Sequence, residues 1–334
     1  MTNRERVLAC LNHEQPDVTP YCIGFTDGAY RAMIDYYQDP DFAAKLGNCL
    51  TVLDTGGQIA WREVAPNIWE DEFGVQWNRE VDKDIGVVCN QVVTRETFDD
   101  LVLPDPRDPR RYADYDEVIR NRNGQFVVAN LGFSLFERAW TLYGMENLLL
   151  DFVADPDFAC ALLDRILEFN LAVIEQVCSH DIDAMMFGDD WGAQRGVIMG
   201  PEMWRAFIKP RVRGMYQAVH DHGKFVFIHS CGKVDALFPD LIECGLNCFN
   251  PFQPEVMDVY DMKAQFGDRL SFYGGISTQK TLPYGTPDET RAEVRRLIAE
   301  IGKNGGFIAS PAHAIPKDAK PENIAAMIDE LQNQ

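Results

Sequence analysis

Lys224-Phe-Val-Phe-Ile-His-Ser-Cys-Gly232 is the stretch that decides how this sequence is interpreted. An apolar run over 225–228 is followed at once by polar residues, and then by an amphipathic segment over 234–242. This order predicts a buried strand, a polar tip and a helix. Because the C-terminal tips of parallel strands face the active-site mouth of α/β folds, the polar tip is expected to carry function.

His229 and Cys231 are separated by one residue in this tip. In an extended segment they point to the same side, because side chains alternate with a period of two. An imidazole and a thiol side by side are good ligands for zinc. Taken alone, His229 could be a hydrogen-bonded core histidine and Cys231 a small buried hydrophobe. The pair on one side of a strand tip favours metal binding.

A strand–helix rhythm runs through the second half of the chain. Apolar runs followed by helical spacing predict strands over 126–129, 184–187, 225–228, 248–252, 270–273 and 307–309. Repeated units of this kind imply a parallel sheet, and earlier segments, including 21–25, can supply two more strands. The α/β fold predicted is therefore a single TIM (β/α)8 barrel domain over 1–334. An open doubly wound sheet is the alternative, but no Gly-rich dinucleotide fingerprint follows the first strand.

The N-terminal part departs from this rhythm. Residues 2–12 read as a helix capped by Thr2, and 28–60 as helical patches alternating with turns. Residues 68–93 read as an irregular β-hairpin, an excursion from the main sheet. The sequence thus predicts a barrel with an N-terminal helical and β-hairpin excursion that partly covers the mouth.

Composition narrows the classes of function. A formal net charge of −21 over 334 residues repels phosphate backbones and anionic membranes, so no nucleic-acid partner is expected. No apolar run reaches the length of a membrane span, so no membrane partner is expected either. The nine cysteines show no disulfide-like spacing, and the start does not read as a signal peptide. These features predict a cytoplasmic protein.

Polar residues gather at the predicted strand tips, which converge on one mouth in a barrel. They are Asn130, Asp189, Asp190, His229, Cys231, Gln253, Ser277 and His313. The other four histidines precede strands or lie near the terminus, and are expected at the opposite end. Each tip residue also has a plain structural reading: the two aspartates as helix caps and Asn130 as a turn residue. Trp191 could be core or pocket wall, and Gln194 lies in a loop.

A zinc site needs a third ligand. Cys244 and Cys248 are nearest in sequence, but both are expected away from the mouth. His313, at the tip of the last strand, is better placed, and a carboxylate from Asp189, Asp190 or Glu72 is a further possibility. Three protein ligands would leave a fourth position open to substrate.

Several motifs together resemble the uroporphyrinogen decarboxylase superfamily over essentially the whole chain. They are Arg4-Glu-Arg-Val-Leu8 with Pro16-Asp17, Phe187-Gly-Asp-Asp-Trp-Gly-Ala-Gln194, His229-Ser-Cys-Gly232, Tyr273-Gly-Gly-Ile-Ser277, Ala312-His-Ala-Ile-Pro316 and Pro321-Glu-Asn-Ile324. The resemblance implies a TIM barrel with its site at the strand C-termini.

The superfamily contains decarboxylases and methyltransferases. True decarboxylases carry Arg-Gln-Ala-Gly-Arg after the first strand, where this chain reads Gly24-Phe-Thr-Asp-Gly-Ala-Tyr-Arg31. A strongly anionic tetrapyrrole would therefore lack its expected arginines. The zinc methyltransferases use His-x-Cys and a distant Cys on the last strand. Here His313 stands where that Cys is expected, so the resemblance leaves either a zinc set of His229, Cys231 and His313 or a site without zinc.

The closest pattern is that of methyltransferase components of anaerobic O-demethylase systems. The resemblance implies transfer of a methyl group from a small methoxylated or related substrate to the corrinoid cofactor of a separate protein. Zinc, or an acid among Asp189, Asp190 and Glu72, would stabilise the leaving oxygen. The expected substrate contacts are Asn130, Trp191, Gln194, Gln253 and Ser277. The chain has no corrinoid-binding Asp-x-His-x-x-Gly motif, so cobalamin is expected on a partner docked over the mouth.

Two other classes of function stay open: a decarboxylase of a porphyrin-like or other carboxylic acid, and a non-catalytic barrel that binds a small molecule. The sequence does not identify the methyl donor or the direction of transfer. A homodimer is also left open.

Overall fold

The computed structural model describes residues 1–56, 59 and 61–334. Its strands are β1 Leu50–Asp54, β2 Trp61–Ala65, β3 Ile68–Asp71, β4 Gln76–Asn78, β5 Val87–Val88, β6 Phe126–Leu131, β7 Ala184–Gly188, β8 Gly192–Ala193, β9 Gly196–Val197, β10 Phe225–His229, β11 Cys248–Phe252, β12 Ser271–Ile276 and β13 Phe307–Pro311. Its helices are α1 Asn3–Leu11, α2 Asp27–Tyr37, α3 Tyr115–Arg120, α4 Phe136–Tyr143, α5 Met145–Ala154, α6 Pro156–Cys178, α7 Pro201–Met203, α8 Lys209–Asp221, α9 Phe238–Glu243, α10 Val259–Phe266, α11 Thr281–Tyr284, α12 Pro287–Glu300 and α13 Pro321–Gln332.

A parallel sheet forms the barrel wall. Within the described residues its strand order is β1-β6-β7-β10-β11-β12-β13. The segment around Tyr21 lies between the two outer strands: the Cys22 N–H donates to the Ala309 carbonyl (3.1 Å), and the Cys49 N–H donates to the Tyr21 carbonyl (2.8 Å). This segment occupies the eighth position, which confirms the predicted TIM-barrel fold.

The eighth position is not a regular strand. Pro20 has no N–H to give to a ladder. The Asn48 side chain replaces strand pairing, because its Oδ1 accepts from the Ile23 N–H (2.9 Å) and its Nδ2 donates to the Ile23 carbonyl (3.0 Å). Only isolated bridges, at Tyr21 and Phe25, mark the strand predicted over 21–25.

Apolar packing on both faces stabilises the wall. The interior is filled by residues such as Phe126, Phe227 and Ile308, and α1 closes the lower end with Val7 and Leu11. Outer helices cover the other face. In α6, buried residues recur at helical spacing, so one stripe faces the sheet. Each large aliphatic side chain buried in this way stabilises the fold by about 1.5–3 kcal/mol. Among the described helices, none is long and apolar enough to cross a bilayer.

The excursion is larger than the sequence predicted. It is an antiparallel sheet of order β2-β3-β4-β5 and begins at Trp61, not near residue 68. A salt bridge from Arg138 to Asp71 (2.6 Å) fixes it to α4. The interpretation of 28–60 as helices and turns was also wrong for β1, whose five residues are too few to show a period clearly. Apolar spacing in the sequence predicts one helix over 137–150, but the structure breaks it at Gly144, where φ is +100°.

Candidate metal centre

Three side chains from distant parts of the chain meet at the barrel mouth. His229 ends β10, Cys231 follows two residues later, and His313 lies two residues after the end of β13. Their candidate ligand atoms all lie within 4.8 Å of one another. The Cys231 Sγ is 3.4 Å from the His229 Nε2, and the two imidazole centroids are 5.5 Å apart. The structure therefore brings together the ligand set that the sequence suggested.

Asn250, on the neighbouring strand β11, sets the orientation of His229. The Asn250 Nδ2 donates to the Tyr273 carbonyl (3.0 Å), so its Oδ1 faces the histidine. That oxygen lies 2.6 Å from the His229 Nδ1 and accepts a hydrogen bond from the Nδ1–H. The Nε2 lone pair is thereby left free on the side of Cys231, as metal-binding histidines require.

The loop that carries Cys231 is held by two side chains from adjacent strands. The Asp190 Oδ1 accepts from the Cys231 N–H (2.7 Å), and the Gln253 Oε1 accepts from the Gly232 N–H (3.0 Å). Gly232 adopts a φ of +83°, and a Cβ placed there would lie 2.5 Å from the backbone carbonyl carbon of Gly192. Only glycine fits this position, so the thiol sits on a tightly fixed turn.

The electrostatics of the cluster suit a cation. Burial, together with the Asp190 and Glu137 carboxylates, raises the pKa of the Cys231 thiol. Burial and the neighbouring His229 lower the pKa of His313, which favours the neutral imidazole that ligation needs. A thiol surrounded by acids loses its proton most readily when a positive charge arrives beside it.

The donor set fits zinc. Two imidazole nitrogens and one thiolate are preferred zinc ligands, and three protein ligands are typical of a catalytic zinc with an open position. His229, Cys231 and His313 would hold the ion. The free Nε2 of His229 and the acidic surroundings of Cys231 are consistent with that role.

Asp189 and Asp190 are adjacent in sequence but have different surroundings. The Asp189 carboxylate is 1% exposed and accepts from the backbone N–H groups of Leu135 (3.3 Å), Phe136 (3.1 Å) and Glu137 (2.8 Å). It also accepts from the Trp191 indole N–H (2.7 Å). Burial raises its pKa to about 6. Asp189 thus anchors the start of α4, and Asp190 is the aspartate that contacts the cluster.

The predicted substrate contacts have different locations. Trp191 is buried against Trp204, with ring centroids 5.2 Å apart. Ser277 is buried and donates to the Glu255 carboxylate (2.5 Å). Gln194 is exposed in the turn between β8 and β9. Of these three, Gln194 alone presents its side chain to solvent, while Gln253 binds the Cys231 loop.

A separate cavity of about 380 Å³ lies beneath the excursion and contains the remaining predicted residues, Asn130 and Glu72. Its other walls are Asp54, Thr55, Gly56, Trp61, Asp71, Phe73, Leu131, Gly132, Phe133, Arg138, Phe169 and Asn170. Glu72 pairs with the buried Arg111, and burial raises the pKa of Glu72. Two strand steps separate its β6 wall from β10, about 10 Å at ordinary strand spacing.

Glu137 is a candidate that sequence reasoning missed. It lies in the first turn of α4, where an acid is expected simply to complement the helix dipole. Burial raises its pKa well above the usual range, and the charges of Asp190 and Asp189 add to the effect. A half-buried acid with a raised pKa near a thiol can act as a proton donor. Its sequence position, in the first turn of a helix, does not distinguish it from an acid that simply complements the helix dipole.

The chain belongs to the family described as uroporphyrinogen decarboxylase (URO-D), whose model matches residues 2–334. Two curated relatives show the range of this family. A uroporphyrinogen decarboxylase of Pseudomonas fluorescens is 24% identical over 310 residues, 88% of this chain and 79% of that protein. A methylcobamide:CoM methyltransferase of Methanosarcina barkeri is 29% identical over 132 residues, but these cover only 39% of this chain and 36% of that protein.

A solved structure has the same fold. A methyltransferase from Methanosarcina mazei superposes with a TM-score of 0.76 at 18% identity, covering 100% of this chain and 99% of the other. At this identity the likeness establishes the shared fold.

Proposed function

We propose that the protein is a corrinoid-dependent methyltransferase. It transfers a methyl group from a small methoxylated substrate to the cobalt of a corrinoid carried by a separate protein. The observation that carries this proposal is the His229–Cys231–His313 cluster at the mouth of a URO-D barrel. The similarity to a methylcobamide:CoM methyltransferase supports it.

Zinc bound at the cluster would act as a Lewis acid on the ether oxygen. The C–O bond would break, its electron pair would leave with the oxygen, and the methyl group would pass to the corrinoid of the partner protein, which would supply the electron pair of the new bond. A proton completes the alcohol or phenol product. Glu137, whose pKa is raised by burial, lies near Cys231 and is the acid available to supply it, while Asp190 accepts from the Cys231 N–H.

The His313 ligand favours oxygen as the leaving atom. A donor set with one thiolate gives a zinc complex with a net charge of about +1, whereas two thiolates would give about 0. The greater positive charge stabilises a developing alkoxide or phenolate more strongly. A methylated oxygen is therefore a better substrate for this set than a methylated sulfur.

The cavity beneath the excursion disfavours the decarboxylase alternative. Its volume of about 380 Å³ lies near the lower end of ordinary ligand pockets. The lining acids Asp54, Asp71 and Glu72 outnumber Arg138, and Arg138 is already paired with Asp71. A tetrapyrrole bearing many carboxylates would meet net repulsion there.

The experiment is a methyl-transfer assay with the zinc-loaded chain, Co(I) cobalamin and a methoxylated aromatic compound. Loss of the Co(I) absorbance and release of the demethylated product are expected, and omission of the corrinoid should stop turnover. Decarboxylation of uroporphyrinogen by the chain alone, without methyl transfer, would contradict the proposal.

A further inference from the structure

Asn250 makes contacts that set it apart from the other residues around the cluster. It is buried in β11, beside the tip of β10. Its backbone carbonyl accepts from the Ser230 N–H (2.8 Å), and its side chain bonds both His229 and the Tyr273 carbonyl. One residue thus fixes the imidazole and the first residue of the loop leading to Cys231.

The amide of Asn250 can adopt only one of its two orientations. A flipped amide would place Oδ1 3.0 Å from the Tyr273 carbonyl oxygen, which is an acceptor only. Two acceptors at that distance repel each other, and the buried Nδ2 would face the ring instead. The observed orientation satisfies both groups, so the Nδ1 of His229 must be the protonated nitrogen.

We propose that Asn250 is a positioning residue which makes His229 a metal ligand, by fixing the Nδ1–H tautomer and directing Nε2 toward Cys231. This inference rests on the metal site of the proposed function. The Nε2 lies 3.4 Å from the Cys231 Sγ, so the two ligand atoms are placed side by side. Groups that hold a ligating histidine commonly change metal affinity by about 10- to 100-fold when removed.

The test compares zinc affinity between three variants of the full chain. Asn250→Leu removes the acceptor at similar volume, and zinc affinity should fall about 10- to 100-fold in competition with a chromophoric chelator. Asn250→Asp keeps an oxygen facing Nδ1 but places its second oxygen against the Tyr273 carbonyl, so its melting temperature should fall while the folded variant retains zinc within about threefold of wild type.

Asn247→Leu is the matched control. Asn247 accepts from the Val226 N–H (2.8 Å), at the opposite end of the same strand pair. Its loss should lower the melting temperature about as much as Asn250→Leu does, but zinc affinity should stay at the wild-type level.

A second readout does not require metal. In ¹⁵N NMR of the metal-free chain, His229, assigned by its loss in His229→Gln, should be the pure Nδ1–H tautomer. Asn250→Leu should give a mixture of tautomers. Wild-type affinity and tautomer in Asn250→Leu, or an equal affinity loss in Asn247→Leu, would overturn the role of Asn250. If the wild-type chain binds no zinc, the metal proposal fails, and the tautomer still decides whether Asn250 positions the ring.

Discussion

The His229–Cys231–His313 cluster and the cavity beneath the excursion lie at the same mouth, yet their charged groups are arranged in opposite ways. In the cavity, acids and arginines pair with each other: Asp71 with Arg138 at 2.6 Å and Glu72 with Arg111. In the cluster, three donors converge, and the nearest charges are acids that raise the pKa of the Cys231 thiol.

This difference distinguishes the groups that stabilise the structure of the mouth from the groups that are available for chemistry. Groups that neutralise each other shape the cavity and fix the excursion to the barrel. Groups whose charge is not neutralised by a neighbour are available to bind a cation. Under the proposed function, the cluster would take part in bond breaking and the cavity would fit the substrate, and each role can be tested by mutation.

The largest effect is expected from removing the thiol. Cys231→Ala leaves two imidazole ligands, so the purified variant should lose stoichiometric zinc. Because a Lewis acid contributes several kcal/mol to such a step, turnover should fall by about 10³-fold. Cys89→Ala is the control, since Cys89 is an exposed free cysteine in the excursion. Zinc retained in Cys231→Ala would remove the thiol from the proposed ligand set.

On the cavity side, breaking an ion pair should affect stability more than metal binding. Arg138→Met leaves Asp71 buried without its partner, which should lower the free energy of unfolding by about 3 kcal/mol. Zinc content of the folded variant should remain at one equivalent. Denaturant titration and metal analysis on the same sample measure both quantities, and loss of zinc would show that the two regions are not separable.

A smaller effect should distinguish the two neighbouring aspartates. Asp189→Asn replaces one acceptor oxygen by an amide that faces backbone N–H donors, so stability should fall by about 2 kcal/mol. Asp190→Asn keeps an oxygen for the Cys231 N–H and should change stability by less than about 0.5 kcal/mol. The second variant should instead weaken zinc binding several-fold. The reverse pattern would exchange the two roles.

The smallest effect is expected at the rim. Gln194 is exposed in the turn between β8 and β9 and was predicted to contact substrate. Gln194→Ala should raise the KM for the methyl donor about threefold with kcat unchanged, as loss of uniform binding does. A fall in kcat would give this residue a part in the transition state.

The sequence predicted better which strand-tip residues converge than how the tips pack. The convergence of His229 and Cys231 could be predicted because period-two alternation puts both side chains on one side of the strand. Barrel closure then brings His313 within reach. The contacts by which Asp189 anchors α4 could not be predicted, because they depend on the three-dimensional position of the loop before α4. The place of Trp191 could not be predicted for the same reason. Its indole N–H donates to the buried Asp189 carboxylate, so the ring lies in the core.

The most direct test of the central claim is zinc X-ray absorption of the purified wild-type chain. One equivalent of zinc is expected, with one sulfur scatterer at about 2.3 Å and two imidazole nitrogens at about 2.0–2.1 Å. His313→Cys should convert this to two sulfurs and one imidazole. Absence of zinc from a chain exposed to it, or a zinc shell without sulfur, would contradict the assignment of His229, Cys231 and His313 as the metal centre.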